Sequence, residues 1–244
     1  MSYSRGMTSP ESSHEQVVDI WGMAIVNGDY SIGDKLAPND QVTAVDASAS
    51  AAHEAIMVLN ALGMVSSRTQ AEAVVNDGGR WNSLDPRIIA WRMRSRHGAD
   101  QIRWLAQLRS AIEPMAAALA ARNATPDECA HLSGLAGEMI TSWQVDLNPG
   151  LVAANAAFHR AILEASGNPM FASLGRSLES ALLVRLPEGL LPRHVNQRTL
   201  RLHDDVAAAI ADRDAAGAEM ILRMVVGQSE AVALAALAAQ AEDN

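Results

Sequence analysis

With 244 residues, the chain is long enough for one large domain or two small ones. An apolar fraction of 49% excludes a disordered polypeptide, and an aromatic fraction of 4% beside abundant Ala, Leu, Val and Met favours helix over sheet. The net charge of −9 does not decide the fold, and the single Cys129 excludes both an internal disulfide framework and a Cys-based zinc site.

No uninterrupted apolar run approaches the ~18 residues of a membrane span. The opening stretch MSYSRGMTSPESS lacks the apolar core of a signal peptide. The expectation is a cytoplasmic protein with no membrane partner. The acidity is uneven: residues 1–80 hold four basic and ten acidic side chains, while residues 81–244 hold 15 and 18.

In chain order, Glu15 to Val26 carries apolar residues at helical spacing and ends at Asn27-Gly28. DYSIGDKL reads as a turn, and Asn39 to Val45 as a short helix. Ser48 to Leu62 predicts a longer helix, with Ser48 as N-cap and Gly63 as the residue after its end. MVSSRTQAEAVVN predicts two short strands round a turn. Three helices and a hairpin in that order make a winged helix-turn-helix, placed at residues 12–77. Gly78-Gly79 opens a linker over 78–85.

From residue 86 to 241 every strong signal is helical. Asp85-Pro86 caps one helix. A second, about 99–122, has Leu105, Leu108 and Ile112 facing inward, Arg109 at the edge of that face with Glu113 as its i,i+4 partner, and a kink expected at Pro114. TPDE at 125–128 is a capping box. Further helices follow to about Trp143, over 151–166, from Pro169 to before Pro187, and over about 196–211 and 215–240, the last with Asp214 as cap. The fold class is therefore mainly α, a winged helix-turn-helix followed by an antiparallel helical bundle. Met115, Met139, Met170, Met220 and Met224 read as core filler, and the Ala-rich 231–239 as close packing or a dimer face.

IVNGDYSIGDKL (25–36), HEAIMVLNALGMV (53–65), LRSAIEPMAAALAARNAT (108–125), FHRAILEASGNP (158–169) and HDDVAAAIADRDAAGAEM (203–220) occur in that order. Together they resemble the GntR transcription regulators, in the FadR-like branch whose bundle is called FCD. WNSLDPRIIAW at 81–91 further resembles the junction of the branch that senses sugar acids such as galactonate. The resemblance implies a dimeric, ligand-responsive repressor or activator that binds operator DNA, with a small carboxylate held inside the bundle.

The resemblance also implies a divalent metal, zinc or nickel, held by an Asp and three His. Asn155 stands where the Asp is expected, His159 and His203 match two of the His, and Arg223 occupies the third His position. An amide is a poor ligand and a guanidinium is none. The metal set is thus reduced to His159, His203 and Asn155. In the alternative, Arg223 supplies the positive charge and pairs with the effector carboxylate, Arg109 meets it from the lining helix, and Asn155, Thr199, His159 and His203 bond its remaining oxygens. Met220, three before Arg223, needs no chemistry.

For DNA, the resemblance implies arginines at Ala49 and His53 and glycines at the hairpin tip, where Thr69, Ala71 and Ala73 stand instead. Ser48, Ser50, His53 and Arg68 remain as DNA-contacting candidates. Three readings stay open: a ligand-responsive DNA-binding regulator, an effector-binding or dimerisation protein of the same fold with weak or lost DNA recognition, and a metal-dependent helical enzyme. The last lacks a carboxylate base, a nucleophile and a full ligand set.

Overall fold

The computed structural model describes residues 13–36, 48–69, 72–142, 149–185 and 197–242. The helix expected at Asn39–Val45 lies outside them. Contacts divide the chain into two compact units, Met1–Arg96 and His97–Asn244.

The first unit contains α1 (Ser13–Asn27), β1 (Lys35–Leu36), α2 (Ala49–Ala61), β2 (Val65–Thr69), β3 (Glu72–Val75) and α3 (Pro86–Arg94). Ser48 caps α2 by accepting the Ala51 N–H through its side chain. At the far end, Gly63 adopts φ +75°. Its N–H reaches the Asn60 carbonyl while the Met64 N–H reaches Leu59, so the last carbonyls are satisfied. A Cβ on Gly63 would run into the carbonyl oxygen of Arg80.

The sheet has the order β1-β3-β2, antiparallel throughout, with Leu36 opposite Ala73 and Val65 opposite Val75. The ladder is irregular between Ser67 and Thr69. The hairpin matches its sequence pattern, and β1 adds a strand where DYSIGDKL predicts only a turn. Two residues are too few to show a period of two, and β1 is fixed instead by the turn before it. There the Gly33 N–H donates to the Val75 carbonyl and the Val75 N–H to Asp34. The core of the unit gathers Trp21, Leu36, Leu59, Met64, Ile88 and Trp91, with each buried Leu, Ile or Met contributing roughly 1.5–3 kcal/mol.

Asn76, buried at the hairpin's exit, joins several of these parts. Its amide donates to the Gly63 carbonyl at 2.8 Å, and its side-chain oxygen accepts from Ser66 at 2.7 Å and Arg80 at 3.3 Å. Its backbone N–H donates to Met64, and its carbonyl accepts from the Trp81 indole.

Helix α3, capped by Asp85 with Pro86 at its first position, packs in this first unit. Its Trp91 lies against Gly22 of α1, where a side chain would collide with the indole, and donates to Asp19 at 2.9 Å. The contact boundary therefore falls after Arg96, and the 78–85 stretch expected as a linker lies within the first unit. Punctuation by Gly78-Gly79 marks only a short 3-10 turn, Gly78–Arg80.

The second unit is all helical: α4 (Gly98–Asn123), α5 (Pro126–Ser142), α6 (Pro149–Ala165), α7 (Pro169–Leu183), α8 (Gln197–Ala211) and α9 (Ala215–Glu242). Helix α4 packs along α9 and touches α6 and α8. Fully buried Ala116, Ala117, Ala120 and Ala121 let neighbouring backbones approach it closely. It runs unbroken through Pro114. The capping box before α5 forms as expected, with Glu128 accepting from both the N–H and the hydroxyl of Thr125 at 2.7 and 2.8 Å.

Of the five methionines read as core filler, only Met139 is buried; Met115, Met170, Met220 and Met224 are exposed. Apolar character alone did not place them, because they lie outside the inward faces of their helices. Helix α9 is long and apolar enough over Ala215–Ala239 to cross a membrane by composition alone. An exposed Glu219–Arg223 ion pair lies on that stretch.

Candidate functional site

At the heart of the second unit lies a cluster of charge that a hydrophobic core would not otherwise contain. Arg109 and Glu113, one turn apart on α4, are 2% and 0% exposed. The guanidinium grips the carboxylate with two contacts, Nε to Oε1 at 2.6 Å and Nη2 to Oε2 at 3.3 Å. The i,i+4 pairing follows the sequence expectation, whereas the edge position expected for Arg109 does not: the residue is wholly inside. Solitary buried charges are costly, so the pair exists because each satisfies the other.

His159 of α6 adds its Nδ1 at 2.8 Å from Glu113 Oε2, and Arg109 Nη2 lies 3.1 Å from its Nε2. His203 of α8 donates from Nδ1 to the Thr199 carbonyl at 2.8 Å, which leaves Nε2 to accept the Asn155 amide at 3.0 Å. Phe158 packs edge-on against both imidazoles. The Thr199 hydroxyl donates to Gln228 of α9. The structure thus brings Arg109, Asn155, His159, Thr199 and His203 together.

Arg223 is elsewhere. It is 59% exposed and pairs with Glu219 on the same helix at 2.9 Å. The inward face of α9 is marked by buried Ala218, Leu222, Val225, Val226 and Ala233. Arg223 stands about 100° round from Leu222, so it cannot supply charge to the cluster.

That charge comes from Arg185, which the sequence reading missed. It follows α7 and is 6% exposed. Its Nη1 donates to the Ser229 hydroxyl at 2.8 Å and its Nη2 to the Ser229 carbonyl at 3.0 Å. Arg109 Nη1 reaches the same hydroxyl oxygen at 3.3 Å. Two guanidiniums therefore converge on one neutral oxygen. The signal for Arg185 was present as a lone Arg inside the apolar run SALLVRLPEGLL, since buried arginines are rare without a purpose.

The protonation states follow from this crowding. Burial alone would raise the Glu113 carboxyl, but Arg109 and the hydrogen bonds around it hold it at about 2. Burial drives His203 down to about 3, and the neighbouring His159 adds to the effect. Burial likewise lowers His159, against the pull of Glu113. Burial lowers Arg185 to about 10, with repulsion from Arg109 adding to it. Among the described residues, the cluster thus joins the Arg109 and Arg185 guanidiniums and the Glu113 carboxylate to two imidazoles that burial biases toward the neutral form.

These residues do not fit a divalent metal. A cation on His159 would sit beside the fixed charge of Arg109, and Glu113 is already engaged by Arg109 and His159. His203 Nε2 takes the Asn155 amide, and an amide N–H donor is not a ligand. Among the described residues no group of three or more His, Cys, Asp or Glu is arranged to hold a metal ion. At the positions expected to hold a metal, His159 contacts Arg109 and Glu113, and His203 contacts Asn155.

On the first unit, the DNA candidates have local partners. Ser48 is exposed and caps α2. Ser50 donates to Glu54 at 3.3 Å, and His14 lies 3.5 Å from the same carboxylate. His53 is half-buried. Arg68 sits on β2, and its side chain is outside the described part. An acidic Glu54 thus shares the exposed start of α2 with the two serines.

Comparison with known proteins bears on both units. Residues 105–228 match the FCD domain. The chain is 28% identical over 194 residues to the HTH-type transcriptional regulator YieP of Escherichia coli K12, covering 78% of this chain and 82% of that protein. It is 24% identical over 217 residues to the galactonate operon transcriptional repressor of the same organism, covering 88% and 94%. Among solved structures, Lar, which controls expression of the Listeria monocytogenes agr system, superposes with a TM-score of 0.59 at 16% identity over 93% of this chain and 98% of that one. McbR/YncC of E. coli gives 0.50 at 22% identity over 91% and 97%. At these identities the two structures share the fold.

Proposed function

The chain belongs to the GntR family of DNA-binding transcription regulators, in the FadR-like branch that carries an FCD domain, and from that premise we propose that it is a cytoplasmic, homodimeric repressor that senses a small carboxylate. The family is one of regulators rather than enzymes, which removes the metal-dependent enzyme reading. GntR regulators bind operator DNA and effectors. The finer assignment rests on the buried cluster of the FCD unit, in which Arg109 is paired with Glu113 while Arg185 hydrogen-bonds, among the described residues, only the neutral Ser229.

An effector carboxylate entering this cluster meets fixed donors in a low-dielectric interior, where charge-assisted hydrogen bonds are strong. Asn155, Thr199, His159 and His203 supply neutral donors and acceptors for hydroxyl groups beside it. A polyhydroxylated acid fits that set, and galactonate is the natural first probe given the relative that represses a galactonate operon. Effector binding changes DNA affinity through a coupling free energy between the two sites. Ser48, Ser50, His53 and Arg68 contact the operator, Ser48 and Ser50 through phosphates at the helix start.

A second reading, in which the fold is kept and DNA recognition is lost, is favoured by Glu54 beside Ser50 on α2. A mobility-shift assay on the upstream region of its own gene separates the two. The regulator reading expects retardation at low salt, weakened by galactonate, with Glu54→Gln binding more tightly because one repulsive charge is gone. Absence of retardation for both the native protein and Glu54→Gln at low salt overturns it in favour of the second reading.

A further inference from the structure

We propose that the Arg109–Glu113–His159 cluster takes the place of a bound metal ion in this domain, and that Arg185 is the group that captures the effector's carboxylate. The proposal rests on the effector role given above and assigns it to a residue that neither motif nor resemblance pointed to.

The two arginines differ in what they have left to give. Arg109 is committed, since its Nε and Nη2 hold both oxygens of Glu113. Arg185 is also buried, and among the described residues its hydrogen bonds go only to the neutral Ser229. Its two terminal nitrogens hold the hydroxyl and carbonyl of Ser229, and its Nε has no hydrogen-bond partner among the described residues. A buried guanidinium normally has a carboxylate beside it. Here the open Nε side of the fork is the edge along which a carboxylate binds with two parallel hydrogen bonds. The shared Ser229 hydroxyl keeps Arg109 and Arg185 close enough to repel, and an anion at Arg185 relieves that repulsion.

The same geometry makes a metal unnecessary. A divalent ion on the imidazoles would supply positive charge to hold a carboxylate. Here Arg109 stands in that place, 3.1 Å from His159 Nε2 with its own charge answered by Glu113, and the net positive charge beside it is that of Arg185, which a chelator cannot strip.

The test uses the full-length protein purified without chelator, metal analysis by mass spectrometry, and thermal shift with galactonate. Lactate, malonate and gluconate serve as further probes. The expected result is substoichiometric metal and a ligand-induced rise in Tm that EDTA leaves unchanged. Arg185→Gln should lose that rise while its unliganded Tm equals or exceeds that of the native protein, because an underpaired buried cation has been removed. Arg185→Lys, which keeps charge without the fork, should retain only part of the rise. Stoichiometric metal whose removal abolishes the rise overturns the metal-free site. An undiminished rise in both Arg185 variants, or a lowered unliganded Tm in both, overturns the role of Arg185 while leaving the effector reading intact. No rise with any probe in the native protein overturns that reading and the proposal with it.

Discussion

The start of α2 and the interior of the FCD unit handle charge in opposite ways. On α2, Ser48 caps its helix, Ser50 donates to Glu54, and His14 leans on the same carboxylate, all at the surface where water screens them. In the FCD unit, Arg109, Glu113 and Arg185 are withdrawn from water, where their interactions are screened less than at the surface. The first arrangement preserves a helix with little dependence on its charges. The second makes the packing of α4, α6 and α9 depend on a few ionic contacts. Shape is thus conserved where charge is expendable, and charge is concentrated where chemistry is expected.

The largest test of this contrast is Glu113→Gln. Removing the carboxylate that pairs with Arg109 leaves that guanidinium underpaired and should cost about 3–5 kcal/mol, read as a lower urea midpoint. Hydrogen exchange should show the loss in α4, α6 and α9, with α1 and α2 retaining their protection. Equal loss in both units would break the comparison.

Acid should act next, and on the same unit. His159 and His203 have folded pKa values below their ordinary 6.5, so the unfolded chain takes up protons first as pH falls. Their contribution is full above pH 6.5 and is lost as pH drops toward about 3, the value for His203. Glu113 contributes fully above its ordinary 4.5 and loses that contribution as pH falls to about 2. Urea midpoints measured between pH 7 and pH 4 should decline, and His203→Gln should flatten the slope. An unchanged slope in that variant would remove His203 from the account.

The smallest effect belongs to the first unit. Gly63→Ala forces a side chain onto φ +75° and against Arg80, at a cost of roughly 1–3 kcal/mol. Exchange should accelerate at the end of α2 and in the hairpin while the FCD unit is unchanged. Operator retardation should weaken alongside it.

Much of the fold was legible because its signals are local. Ser48, Asp85-Pro86, Thr125 with Glu128, and Gly63 each act on backbone groups within a few residues, and all perform as their spacing predicts. The allegiance of α3 was not legible, since it depends on Trp91 meeting Gly22 across nearly 70 positions of sequence. The site was half legible. Arg109 with Glu113, and His159 with His203, could be named from helical spacing and resemblance. Arg223 was expected in the cluster, and Arg185 lies there instead, because an apolar stripe shows which face of a helix points inward but says nothing of ionic partners. On α9 the residue that meets both guanidiniums is Ser229, in line with Leu222, Val226 and Ala233, and a serine attracts no notice in a sequence.

Asn76 carries a mechanical consequence. Its bonds tie the end of α2, the first residues of β2 and the stretch leading to Trp81 at a single buried corner. A hinge needs a corner with slack, and this one has none. The hairpin and the helix must therefore swing as one stiff lever. Whatever tilts the hairpin turns α2 through the same angle, and a displacement too small to loosen either element still changes the reach of both at once.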